Sequence, residues 1–147
     1  MTTARPAAQF LGLAGLVAAG SAVGTLVRAS LELAFPAGPG QFPWTTFLIN
    51  IVGSCVLAAL IETLAFAGPD TGGRRMLRLA LGTGVIGGFT TYSTFVLEID
   101  NLVGDGRGVL AVAYALLSVV LGLVAAMIGA GVAASVARAR AGGEEAP

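Results

Sequence analysis

Gly87-Gly88-Phe89-Thr90-Thr91-Tyr92-Ser93-Thr94-Phe95 lies in a stretch that carries no charged residue from Leu79 to Leu97. Five hydroxyl side chains and two glycines are an unusual load for an apolar helix. In hydrocarbon every backbone polar group needs a partner, so such an interruption of a spanning helix survives only where protein buries it or where it lines a polar cavity. Helices broken at mid-membrane commonly bind ions at the break. The stretch reads as a third spanning helix, broken at its middle, in an all-α membrane protein.

The composition surrounding this stretch agrees. Apolar residues make up 56% of the 147, charged residues 11%, and the mean hydropathy is +0.88, far above that of an ordinary water-soluble domain. Uncharged runs extend from Pro6 to Val27, Leu33 to Ile61, Leu79 to Leu97 and Gly108 to Ala137. Each meets or approaches the roughly 20 residues needed to cross a bilayer core of about 30 Å. Four transmembrane helices are expected, at about residues 8–33, 44–66, 76–98 and 109–135, forming one channel domain over residues 1–147. Pro36, Pro39 and Pro43 hold off the start of the second helix, because proline lacks an amide proton and suits a helix start. Gly68-Pro69-Asp70-Thr71-Gly72-Gly73 and Asp105-Gly106-Arg107-Gly108 are turns. The polar tail from Arg138 reads as frayed.

Arg5 before an apolar run, with Ala18-Ala19-Gly20-Ser21-Ala22 after it, has the outline of a signal peptide, but the run continues far enough to span and three further spans follow. Cys55 is the only cysteine, which leaves no intrachain disulfide. With no histidine, the usual zinc, haem and proton-shuttle ligand is missing. There is no lysine; Arg5, Arg74, Arg75, Arg78, Arg138 and Arg140 fall at one end of the bundle, and Arg28 and Arg107 at the other. By the positive-inside rule both termini and the middle loop are cytoplasmic.

Gly20 and Gly24, and Gly84 and Gly88, carry the four-residue spacing that lets helix backbones approach closely, within one chain or between subunits. Asn50 and Ser54 share one face of the second helix, and Tyr114, Ser118 and Gly122 one face of the fourth. Glu62, Glu98 and Arg28 are expected near helix ends, where long side chains reach the interface. A span with no central carboxylate argues against proton-coupled antiport and permits a passive channel. Amide, hydroxyl and phenol groups with positive aromatic edges suit a small anion, whereas carbonyls freed at the break suit a hard cation such as sodium. The residues alone leave both open.

Gly20-Ser-Ala-Val-Gly24-Thr-Leu-Val-Arg28, Pro43-Trp-Thr-Thr-Phe-Leu-Ile-Asn50-Ile-Val-Gly53-Ser54 and Gly82-Thr-Gly-Val-Ile-Gly87-Gly-Phe-Thr90-Thr-Tyr92-Ser-Thr-Phe95-Val-Leu-Glu98 resemble, in order and spacing, the three signature blocks of the bacterial fluoride channels, the CrcB or Fluc family. The resemblance covers nearly the whole chain. It implies an antiparallel dimer of four-helix subunits in the cell membrane, through which fluoride leaves the cytoplasm passively and confers fluoride resistance. It implies a fluoride pathway lined by Asn50, Tyr92 and Phe95, with Ser93 and Thr94 between the aromatics and Tyr114 and Ser118 as a polar track on the fourth helix. It places Arg28 at a vestibule. It implies a structural sodium ion (Na+) at the dimer interface, held by the main-chain carbonyls of Gly87 and Thr90 from each subunit.

Two positions depart from the family pattern: Tyr92 stands where phenylalanine is usual, and Gly122 where the helix-four track often carries serine. The arginine bias also favours one orientation, so the expected second subunit is either an oppositely oriented homologous subunit, for which the bias argues, or a second copy in a homodimer. A non-conducting partner subunit is an alternative reading. A small multidrug-resistance type transporter is another, but it needs a membrane-embedded glutamate in helix one, and none lies between Pro6 and Val27. Neither an enzyme nor a nucleic-acid partner is expected, since no nucleophile, base and orienting group are assembled.

Overall fold

The computed structural model describes residues 4–144, with side chains described over 8–141. Its elements are α1 (Ala4–Ala34), α2 (Trp44–Phe66), α3 (Gly72–Leu77), a π-helical segment (Arg78–Ile86), α4 (Gly87–Phe89), α5 (Ser93–Gly104) and α6 (Gly108–Glu144). α1, α2 and α6 are each long and apolar enough to cross a membrane. The third apolar stretch runs through α3, the π segment and α4 as one rod, loses helical form over residues 90–92, and resumes as α5. Large apolar side chains such as Phe10, Leu33, Leu48, Leu116 and Ile128 point outward, an arrangement that water disfavours and lipid accepts. The protein is a multi-pass membrane protein.

Local chemistry sets the ends. Pro43 precedes α2, and its carbonyl accepts the Phe47 amide at 3.1 Å. α5 is closed by a Schellman motif: the Gly106 amide donates to Val103 O at 3.0 Å and the Arg107 amide to Leu102 O at 2.8 Å. Gly106 takes the left-handed conformation this needs, with φ of 73°. The last helix continues to Glu144 instead of fraying from Arg138, because Ala and Arg are strong helix formers and no proline intervenes before the Gly142-Gly143 pair. Short connections make neighbouring helices antiparallel. The 34–44 and 104–108 connections meet at one end, where the Gly40 amide donates to Asp105 Oδ2 at 2.9 Å.

Two tight helix pairs build the bundle: α2 lies along α6, and α1 lies along the π segment and α4, while α1 and α2 barely touch. Both pairs depend on glycine. A Cβ on Gly24 would overlap the Val85 carbonyl oxygen, one on Gly88 the Ser21 carbonyl oxygen, and one on Gly20 would come within 3.1 Å of the Gly84 Cα. On the other pair, a Cβ on Gly129 would overlap the Cys55 carbonyl. The small-residue pairs that sequence left open between intrachain and intersubunit packing therefore serve packing within one chain. Phe47, Leu102, Ala111 and Tyr114 form the buried centre, joined by Phe42, Phe95 and Ile99.

Gly24→Ala forces a methyl into backbone and should destabilise the fold by at least about 1–3 kcal/mol. Gly15→Ala, a position with nothing within 4 Å, should be neutral or stabilising by up to about 1 kcal/mol through helix propensity. Thermal unfolding of both variants in detergent checks the pair; equal behaviour would contradict the packing described.

Candidate functional site

The interruption of the third apolar stretch is held by one side chain. Thr90 ends α4 in an extended conformation, with ψ of 156°. Helical bonding then fails for the next peptide groups, which carry exposed polarity that hydrocarbon penalises by about 4–8 kcal/mol per unpaired group. Asn50, on α2, replaces the lost bonds at Thr91. Its Nδ2 donates to Thr91 O and its Oδ1 accepts from Thr91 N, both at 2.9 Å. One amide thus mimics a strand neighbour. The new helix start is satisfied locally: Thr91 Oγ1 accepts the Thr94 amide at 3.2 Å and donates to Thr94 Oγ1 at 3.1 Å, and it lies 3.3 Å from Ser93 Oγ.

A cavity of about 300 Å³ opens beside this break, lined by Asn50, Ser54, Thr91, Tyr92, Phe95 and Ser118 among others, with no charged side chain. It gathers Asn50, Tyr92, Phe95 and Ser118 from the expected pathway. Ser118 Oγ is fully buried and, among the described residues, has no hydrogen-bond partner, a state that costs about 1–3 kcal/mol unless a ligand or water relieves it. Gly122 keeps the next turn of α6 low; a Cβ added there would stand 3.7 Å from Ser54 Oγ. Tyr92 at the rim is 78% exposed. From Tyr92 an aromatic series runs toward the far end of the bundle: Phe95 at 6.1 Å between ring centres, then Tyr114 at 5.2 Å, then Phe42 at 5.3 Å and edge-on.

Beyond Tyr114 lies a carboxylate that sequence reasoning placed at a helix end. α5 runs on to Gly104, so Glu98 sits in mid-helix and turns toward α2 and α6. Its Oε1 accepts from Thr46 Oγ1 and its Oε2 from Tyr114 OH, both at 2.7 Å. Thr46 and Tyr114 are wholly buried. Short hydroxyl bonds to a charged acceptor are among the stronger hydrogen bonds in proteins. Glu98 and Thr94 also line a second, larger hollow of about 660 Å³ at the 34–44 loop. The one sequence signal for the triad was Tyr114 on the polar stripe; Tyr114 and Thr46 lie 16 and 52 residues from Glu98 along the chain and carry no shared motif.

Arg28 likewise does not end its helix, since α1 continues to Ala34. Its guanidinium is committed: Nε donates to Gly88 O at 3.4 Å and Nη1 to both Glu32 oxygens, at 3.2 and 3.1 Å. Thr25 Oγ1 donates to the same Gly88 carbonyl at 3.3 Å. Among the described residues, no donor reaches the carbonyls of Gly87 or Thr90, and no His, Cys, Asp or Glu cluster is arranged for a metal. Any cation at the break would meet main-chain oxygens, which suits a hard ion.

Tyr114→Phe removes one of the two donors to Glu98 and should destabilise the protein by about 1–3 kcal/mol, as should Thr46→Val. Because the two act on one carboxylate, the double variant should depart from additivity by at least about 0.5 kcal/mol. Detergent melts of the four proteins in this cycle check it; strict additivity would mean that Glu98 does not couple them.

The family model described as CrcB-like protein, Camphor Resistance (CrcB), matches residues 15–130. The chain is 46% identical over 116 residues to a protein of Cutibacterium acnes named fluoride-specific ion channel FluC 1, covering 79% of this chain and 81% of that one. It is 43% identical over 124 residues to fluoride-specific ion channel FluC 2 of Leifsonia xyli subsp. xyli, with 82% and 83% covered. It is 44% identical over 124 residues to fluoride-specific ion channel FluC of Novosphingobium aromaticivorans, with 82% and 95% covered. With the matched region running from α1 through the interrupted span and well into α6, the chain belongs to the CrcB family.

Proposed function

We propose that the protein is a subunit of a fluoride-selective channel that lets cytoplasmic fluoride leave passively and so confers fluoride resistance, and that it is not an enzyme. The observation that carries this reading is the uncharged cavity beside the break, where the unpartnered Ser118 hydroxyl, the Asn50 amide, and the Tyr92 and Phe95 rings converge. Asn50 spends one Nδ2 proton on Thr91 and retains the other. Hydroxyl, amide and ring-edge positive charge replace the water around a small, strongly hydrated anion. With no arginine in the lining, the ion is held weakly enough to leave. Ser93 and Thr94 supply further hydroxyls, and Tyr114 with Ser118 continues the track toward Glu98. HF enters a cell from acidic surroundings as a neutral acid and dissociates; the trapped anion then has an exit.

The break stands at mid-membrane in this reading, with the termini cytoplasmic, and the working unit is an antiparallel dimer. Outward-facing Tyr92 supports a partner, since a phenol of such exposure is poorly placed against lipid tails. Gly87 and Thr90 fit a structural sodium ion between subunits: their carbonyls accept no bond among the described residues, and the donor set is all oxygen. When bound, the ion would hold the two breaks together by neutralising facing carbonyl dipoles. Arg28, tied to Gly88 and Glu32, lies at the vestibule side of α4.

The arginine asymmetry favours a specific partner. A chain with six arginines at one end and two at the other inserts mainly one way, so an oppositely oriented homologous subunit completes the dimer. Fluoride efflux from liposomes, read with an electrode beside a chloride control, tests both statements. The chain mixed with its homologous partner should give fluoride-selective efflux that falls at least about tenfold in Asn50→Ala. The chain alone should give little. Fast efflux from the chain alone would replace the paired subunit with a homodimer, and undiminished flux in Asn50→Ala would remove the pathway reading.

A further inference from the structure

We infer that Thr25 and Arg28 are positioning residues for the cation at the break: they hold the Gly88 carbonyl against α1 and so take it out of the set of oxygens that could meet the ion. The inference rests on the sodium reading above. It starts from how the carbonyls around the break are used. Ile86 O accepts the Thr90 amide at 2.9 Å and Thr90 Oγ1 at 3.0 Å. Gly88 O accepts Thr25 Oγ1 and Arg28 Nε. Thr91 O accepts Asn50 Nδ2. Gly87, Phe89 and Thr90 accept no bond among the described residues.

Only Gly88 is claimed from α1, and the claim is built in. Thr25 and Arg28 are three residues apart and share one face of α1. The backbone of α1 is so close to α4 that a Cβ on Gly88 would overlap Ser21; the short Thr25 side chain reaches the carbonyl only because of this approach. A carbonyl without these donors would be a further oxygen competing for the ion, and would free the single turn of α4 to change its pitch. Either change spoils the spacing of the two ligands.

A guanidinium next to a cation site is a liability by itself. Glu32 removes it: both its oxygens accept from Arg28 Nη1, and the pair is largely shielded, with side-chain exposures of 20% and 26%. The Arg28–Glu32 pair therefore delivers hydrogen-bond donors to Gly88 with little net charge, which is a reason for a carboxylate one turn after the arginine at this depth.

Sodium titration of the purified dimer tests this, with the thermal midpoint and the dimer fraction read against an impermeant organic cation at constant ionic strength. The wild-type protein should gain stability with sodium. Thr25→Val should raise the half-saturating sodium concentration about fivefold, while Thr25→Ser keeps the donor and should stay near wild type. Glu32→Gln should raise it too, by leaving Arg28 unbalanced. A sodium response unchanged in both Thr25→Val and Glu32→Gln overturns the positioning role alone. A wild-type protein indifferent to sodium overturns the sodium reading and this inference with it.

Discussion

The bond on which the rest of the structure depends is the pairing of the Asn50 amide with both polar groups of Thr91. An apolar helix interrupted without such a partner leaves peptide groups bare, and in lipid the chain would close the gap by becoming helical again. Asn50 makes the open conformation the cheaper one. The bond joins residues 41 apart, so it also ties α2 to the third span at the level where the chain changes course. The cavity, the redirected ring of Tyr92 and the fresh helix start of α5 all follow from that fixed point.

Glycine fixes the break from the other side. Gly20, Gly24, Gly84 and Gly88 let α1 and the third span touch backbone to backbone, and Gly53 on α2 has room for no Cβ because Thr90 Cγ2 occupies it. The π-helical segment Arg78–Ile86 feeds directly into this contact. Its wider winding places Gly82, Gly84 and Ile86 on buried positions, whereas Thr83 and Gly87 stay exposed. A wound-out turn before an interruption is a common way to re-aim a functional segment. The bundle is thus two rigid helix pairs, with the break between them.

Features written in adjacent residues were legible in the sequence. Prolines at 36, 39 and 43, the Gly-Asp turns and the uncharged runs act locally, and the Thr/Gly cluster at 87–95 announced a special segment through composition. Side-chain partners across the bundle were not legible. Glu98 read as a helix-end residue because the uncharged run stops at Leu97, yet the stop comes from Gly106 and its Schellman bonds. That difference of a turn and a half carried the carboxylate from the interface into contact with Thr46 and Tyr114. The end of α1 was legible, at 33 against Ala34, but the Gly88 carbonyl that Arg28 meets was not. Asn50 was identifiable as a buried amide in need of a partner, but nothing in its own segment named Thr91.

The Glu98 triad then has to be reconciled with the proposed anion pathway, since a bare carboxylate near such a track would repel fluoride. Hydroxyl donors to both oxygens change that. Thr46 and Tyr114 draw charge density into two short bonds. A passing anion would compete with Glu98 for the Tyr114 proton, and to win that contact it must be small and a strong acceptor. A larger, softer anion gains less from a hydroxyl and meets the same repulsion from the carboxylate. In the proposed channel the glutamate would set the strength that an anion must have to borrow a donor. Once such an anion had moved on, the Tyr114 hydroxyl would donate to Glu98 again, which would keep occupancy brief.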